Sequence, residues 1–125
     1  MLRQFIIIIT MSLSATLSNS TEAHTEQNTQ SVIQKAEQGD ANAQGLLGIM
    51  YIQGQGVRQD YVQARQWFAK AAEQGNAEAQ SLLGMMYEEG LGVRQDYAQA
   101  KEFFGKACDE GYQPGCDAYK KLNNR

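Results

Sequence analysis

Residues 39–74 and 75–110 form two consecutive blocks that align without a gap at a period of 36, and twenty-one of the 36 positions are identical. The matches include Ala43 with Ala79, Leu46-Leu47-Gly48 with Leu82-Leu83-Gly84, and Met50-Tyr51 with Met86-Tyr87. They continue through Gly54, Gly56 and the run Val57 to Tyr61, against Gly90, Gly92 and the run Val93 to Tyr97. A fixed period of this length marks an array of small units, each burying its apolar face only against its neighbours.

Each block reads as a helical hairpin. The first helix is expected over residues 41–53, with Ala43, Leu46, Leu47, Met50 and Tyr51 at three-and-four spacing. Gly54 ends it, because glycine adopts the left-handed conformation that helix C-termini often need. Val57 is expected to tuck back onto the hairpin. Asp60 opens the second helix as an N-cap, with Gln63 completing a capping-box pattern that Asp96 and Gln99 repeat. That helix turns Tyr61, Ala64, Trp67, Phe68 and Ala71 inward, and Gly75 stops it. Half-units extend the pattern at both ends. Residues 30–38 form a capping helix with Val32, Ile33 and Ala36 as its apolar residues; residues 111–125 form a capping half-repeat with Pro114 in a first helical turn. The expected fold is therefore all-α, six helices in antiparallel pairs, with two full repeats between two half-repeat caps.

The N-terminus has the composition of an export signal. Arg3 precedes an apolar run from Phe5 to Leu17, which is shorter than the roughly 20 residues a bilayer span needs. Cleavage is expected after Ser20 or Ala23, so residues 1–23 are read as a signal peptide and 24–29 as a flexible mature start. No cysteine follows the apolar run to carry a lipid anchor, and no stable membrane insertion is expected once the signal is removed. The net charge of -3 and pI near 5.1 argue against nucleic-acid binding, which needs a clustered basic surface. Hydrophobic residues at 42% and charged ones at 20% indicate a folded domain rather than a disordered chain. An even cysteine count in an exported chain favours a disulfide between Cys108 and Cys116. Closing so short a loop contributes about 2–3 kcal/mol on the chain-entropy model.

The string Ala-x-x-x-Leu-Gly-x-Met-Tyr-x-x-Gly-x-Gly-Val-x-x-Asp-Tyr, followed by alanine, an aromatic pair and Lys-Ala, resembles the Sel-like repeat. The resemblance covers residues 39–111 and is carried twice at the same period. It implies a tetratricopeptide-related, short right-handed α/α solenoid. Lys106-Ala107-Cys108 followed by Gly115-Cys116 resembles the family's exported, cysteine-rich bacterial branch, in which a cysteine ending one hairpin bonds to one starting the next. Positions 72 and 80, one repeat earlier, are alanine and glutamine, so only one such bridge is implied. Penicillin binding or β-lactam hydrolysis is associated with some cysteine-rich relatives, but no residue here carries that over.

The chemical motifs point away from catalysis. Gly54-Gln55-Gly56 and Gly90-Leu91-Gly92 close helices, whereas phosphate loops open them. His24 is the only histidine, so Ser31 and Ser81 have no evident base to activate them. The pairs Glu88-Glu89 and Asp109-Glu110 lack the spacing of a calcium loop. No catalytic residue, metal ligand or cofactor is assigned. The two copies differ most informatively along one stripe of the first helix: Asn42, Gly45, Ile49, Ile52 and Gln53 against Glu78, Ser81, Met85, Glu88 and Glu89. A second stripe varies on the second helix, at 62, 66, 69 and 73 against 98, 102, 105 and 109. The alternative for Ile49, Ile52 and Met85 is packing against neighbouring helices. In a relative of the tetratricopeptide repeats the first helix lines the concave side, so its stripe is the expected binding face. The expected function is an exported, non-catalytic module that binds a protein or peptide in a small groove. The alternatives are a cell-envelope or penicillin-interacting enzyme and a structural or assembly factor.

Overall fold

The computed structural model describes residues 24–125; the export segment expected over 1–23 lies outside the described residues. The described residues contain six helices and no strand. Helix α1 occupies residues 24–37, α2 Ala41–Gln53, α3 Tyr61–Glu73, α4 Ala77–Glu89, α5 Tyr97–Asp109 and α6 Gln113–Asn123. Consecutive helices pack against each other from α2 to α6, and α4 also touches α6. The repeats therefore stack, with α2, α4 and α6 in equivalent positions.

Local sequence fixes the helix ends. The carboxylates of Asp40, Asp60 and Asp96 and the amide oxygen of Asn76 accept from the backbone N–H three residues on, at 2.9–3.1 Å. The capping box expected at Asp60 and Gln63 is only half realised. The Asp60 N–H donates instead to the carbonyl of Tyr51 at 2.9 Å, and Asp96 repeats this with Tyr87, so each loop is tied to the helix before it. Gln59 adds a second tie, donating Nε2 to the Ile52 carbonyl at 2.8 Å, and Gln95 does the same to Glu88. Gly54 and Gly90 end α2 and α4 in the left-handed region, at φ 67° and 71°.

The core follows the repeat. Ala64, Phe68, Ala71, Ala72, Ala79, Leu83 and Met86 form the main cluster, and Ala36, Ala43 and Leu47 a second one between α1 and α2. Val57 packs on the second cluster, as its sequence position predicts. The paired Leu-Gly motif explains itself here. Gly48 leaves the space that the Phe68 ring occupies, and Gly84 does the same for Phe104. Cys108 and Cys116 are bonded, with Cα atoms 4.5 Å apart, joining the end of α5 to the start of α6. At the equivalent place one repeat earlier, Gln80 donates Nε2 to the carbonyl of Ala72; at the start of the array Gln44 does so to Ala36. A glutamine clip thus stands where the disulfide stands later.

Two expectations need correction. Residues 24–29, read from composition as a flexible start, continue α1. Thr29 is buried there and donates its hydroxyl to the Thr25 carbonyl at 2.9 Å, so packing overrides a polar composition. Leu46, one of the apolar residues at three-and-four spacing on α2, does not join the core but is 47% exposed. Adjacent helical residues point about 100° apart, so Leu46 and Leu47 cannot share one partner, and Leu47 takes the core.

Candidate binding face

Asn42, Gly45, Leu46 and Ile49 of α2 face Asn76, Glu78, Ala79 and Leu82 across a groove of about 300 Å3. This volume lies at the low end of the range for ligand sites. Repeat geometry sets the two walls, since the same stretch of consecutive copies supplies each. Asn76 caps α4 with Oδ1 and uses Nδ2 to donate to Asn42 Oδ1 at 3.3 Å, closing one end. Gly45 leaves the floor open, with no atom within 4 Å of where a Cβ would stand.

Of the ten residues expected on the binding stripe, the groove gathers Asn42, Gly45, Ile49 and Glu78. Ile49 is half-buried, and Ile52 packs with it against the main core, so both also serve as structural residues. Ser81 and Met85 are half-buried on α4, and Gln53 and Glu89 are exposed. Glu88 is held by Arg125, at 3.6 Å between Oε1 and Nη2. The comparison of copies missed Leu46, Ala79 and Leu82 because leucine and alanine are unchanged between repeats. The signal that could have found Leu46 is the adjacent leucine pair itself. Asn76 carried a visible sign, since its counterpart is Asp40.

A second cavity of about 410 Å3 lies on the other side of Leu46, between α1 and α2, and is lined chiefly by Asn28, Thr29, Val32, Met50 and the chain's lone histidine, His24. Leu46 therefore stands on a crest between two hollows. The Gly-x-Gly segments are turns, with φ between 64° and 73° at all four glycines. A Cβ on Gly92 would lie 2.5 Å from the carbonyl of Tyr61, so this loop abuts the preceding repeat. No helix among the described residues is long and apolar enough to cross a membrane.

A search of curated proteins returned no match. The Sel1 repeat family model matches residues 41–76 and 77–112, two residues later than the blocks defined by self-alignment. Among solved structures, a protective antigen of uropathogenic Escherichia coli strains displaying an SLR fold is 38% identical with a TM-score of 0.71, over 73% of this chain and 20% of that one. A Sel1 repeat protein from Oxalobacter formigenes is 31% identical with a TM-score of 0.75, over 85% of this chain and 44% of that one. Helicobacter pylori cysteine rich protein B is 27% identical with a TM-score of 0.72, over 81% of this chain and 76% of that one. This chain thus spans less than half the length of the first two. Repeats of this kind generally serve as protein–protein interaction modules and are typically non-enzymatic scaffolds. Through its two matched repeats, the chain belongs to the Sel1 repeat family.

Proposed function

We propose that this chain is an exported, non-catalytic interaction module that receives a protein or peptide segment in the groove between α2 and α4. One observation carries the reading: a large apolar side chain, Leu46, stands half in solvent beside a groove whose glycine floor at Gly45 is open. Exposed leucine at the rim of a hollow is what an apolar anchor from a partner requires. Tight stacking holds the walls, so little ordering cost falls on binding. Two features support export: the bonded cysteine pair, which suits an oxidising compartment, and the likeness to the cysteine-rich Helicobacter pylori protein. The signal-like composition of residues 1–23 agrees with both.

The test compares capture from an envelope extract by the unmodified chain, by Leu46→Glu and by Val62→Glu. Val62 lies on α3 and is 46% exposed, close to the value for Leu46, so it controls for the new charge. A partner retained by the unmodified chain and Val62→Glu but lost by Leu46→Glu supports the reading. Equal retention by all three proteins would move the site to another face.

A further inference from the structure

The repeat shows what normally covers the flank on which Leu46 stands. Leu82, its equivalent on α4, lies against α2 and is half-buried; Leu46 has no equivalent helix beside it among the described residues and is 47% exposed. The residues that α2 presents to that flank of α4 are Asn42, Gly45 and Ile49. These supply a hydrogen-bonding group, a small residue three positions on and an aliphatic residue seven positions on. The polar contact is reversed at the open flank. Asn76 donates to Asn42 at 3.3 Å, but its counterpart Asp40 is a carboxylate, which only accepts. Asp40 already caps α2 with one oxygen and is exposed, so its other oxygen favours a donor, and a cationic one most.

No helix among the described residues fits that pattern from outside. The trailing face of α6 shows Pro114, Asp117 and Lys121 at the equivalent positions, and α4 shows Glu78, which would repel Asp40. The residues 36 positions before Asn42, Gly45 and Ile49 are Ile6, Ile9 and Leu13. By sequence alone these carry isoleucine in place of the small residue and have no side-chain donor.

We propose that the open flank of α2 docks one amphipathic helix from a partner protein, which extends the stack as a further repeat helix would. That helix carries Lys or Arg opposite Asp40, a small residue at i+3 and an aliphatic residue at i+7 over Leu46. The site shares Leu46 with the α2/α4 groove but lies on the other side of that residue, and Asp40 against Glu78 distinguishes the two.

Stapled synthetic helices test this by fluorescence anisotropy against the full 1–125 chain. One carries Arg, Ala and Ile at i, i+3 and i+7; the others replace Arg by Glu, or Ala by Leu. The first helix should bind, and each replacement should weaken it several-fold. Leu46→Glu should weaken it at least about tenfold through lost apolar burial. Asp40→Asn, which keeps a good N-cap, should reduce the preference for Arg by up to about fivefold and make it less sensitive to salt. Glu78→Gln, in the other groove, should change nothing. Binding insensitive to Leu46→Glu would overturn the proposal, as would failure of every helix to bind. Sensitivity to Glu78→Gln without sensitivity to Asp40→Asn would place the helix in the α2/α4 groove and overturn this proposal alone. A Leu46→Cys variant that resists maleimide before any helix is added would show the flank already covered, with the same consequence.

Discussion

The same substitution three residues apart on α2 should have opposite effects. At Gly45 a methyl group meets nothing within 4 Å. Alanine there gains the helix-propensity difference, about 0.5–1 kcal/mol. At Gly48 the added Cβ would lie 2.5, 2.7 and 2.9 Å from three atoms of the Phe68 ring. Carbon atoms rest comfortably at roughly 3.5–4.0 Å, so the ring must retreat by about 1 Å. It has little room to do so, because Phe68 has no exposed surface and closely packed interiors resist displacement. Overpacking of this kind costs about 1–3 kcal/mol, and three contacts put the cost in the upper part of that range. Subtracting the same propensity gain leaves a net loss of about 1–2 kcal/mol for Gly48→Ala. The two variants should differ by about 2–3 kcal/mol. In a domain of this size 1 kcal/mol corresponds to about 4–8 °C in Tm. Thermal and urea melts followed by circular dichroism should show Gly45→Ala several degrees above the parent and Gly48→Ala below it. Phe68→Leu should cost less in the Gly48→Ala background than in the parent, because it relieves the same clash. Shifts of the same sign for both variants, or no coupling with Phe68, would refute the notch-and-ring explanation of the repeated glycine.

Three smaller predictions follow from the clips between hairpins and from helix capping. Helix α6 has no side-chain N-cap bond and only Gly115 buried, so the disulfide reinforces its packing on α5. Replacing Cys108 and Cys116 together by alanine should cost about 2–3 kcal/mol, and hydrogen exchange should show protection lost first over Gln113–Asn123. Gln74 donates to Gln44 Oε1 at 2.8 Å, whereas the equivalent Gln80 Oε1 is buried without a partner and Gln74 is replaced by Glu110, which has no donor when ionised. Glu110→Gln should restore the bond and add about 0.5–1.5 kcal/mol, read as a higher urea midpoint at unchanged slope. Asp96→Ala should cost about 1 kcal/mol by removing the α5 cap, and an Asp96→Asn variant should recover most of it in the same melt.

The fold was legible because the sequence states it twice. Alanines at 43 and 79 and leucines at 47 and 83 sit at the same phase of two helices, and the glycine after each helix marks its end. Less legible was anything depending on how one repeat meets the next. Composition made residues 24–29 look loose, yet burial of Thr29 against the first full repeat holds them in α1. The capping box was half right, because the donor it leaves unassigned is claimed by a carbonyl nine residues back. For the expected binding face, variation between copies picked out ten residues, four of which line the α2/α4 groove. It could not find Leu46, which is unchanged between copies but differs in what lies beside it. Exposure of one copy and burial of the other is a property of position in the stack, and no single-repeat pattern encodes it.

A partner held on the α2 and α4 face, as proposed, should lie within reach of Leu46. The most direct test is a photoreactive phenylalanine analogue placed in living cells at position 46, at position 62 on α3, or at position 82 deeper in the groove. One crosslinked product of defined mass is expected from position 46, a weaker form of the same product from position 82, and none from position 62. Crosslinking from position 62 alone, or an identical pattern from all three positions, would contradict that placement.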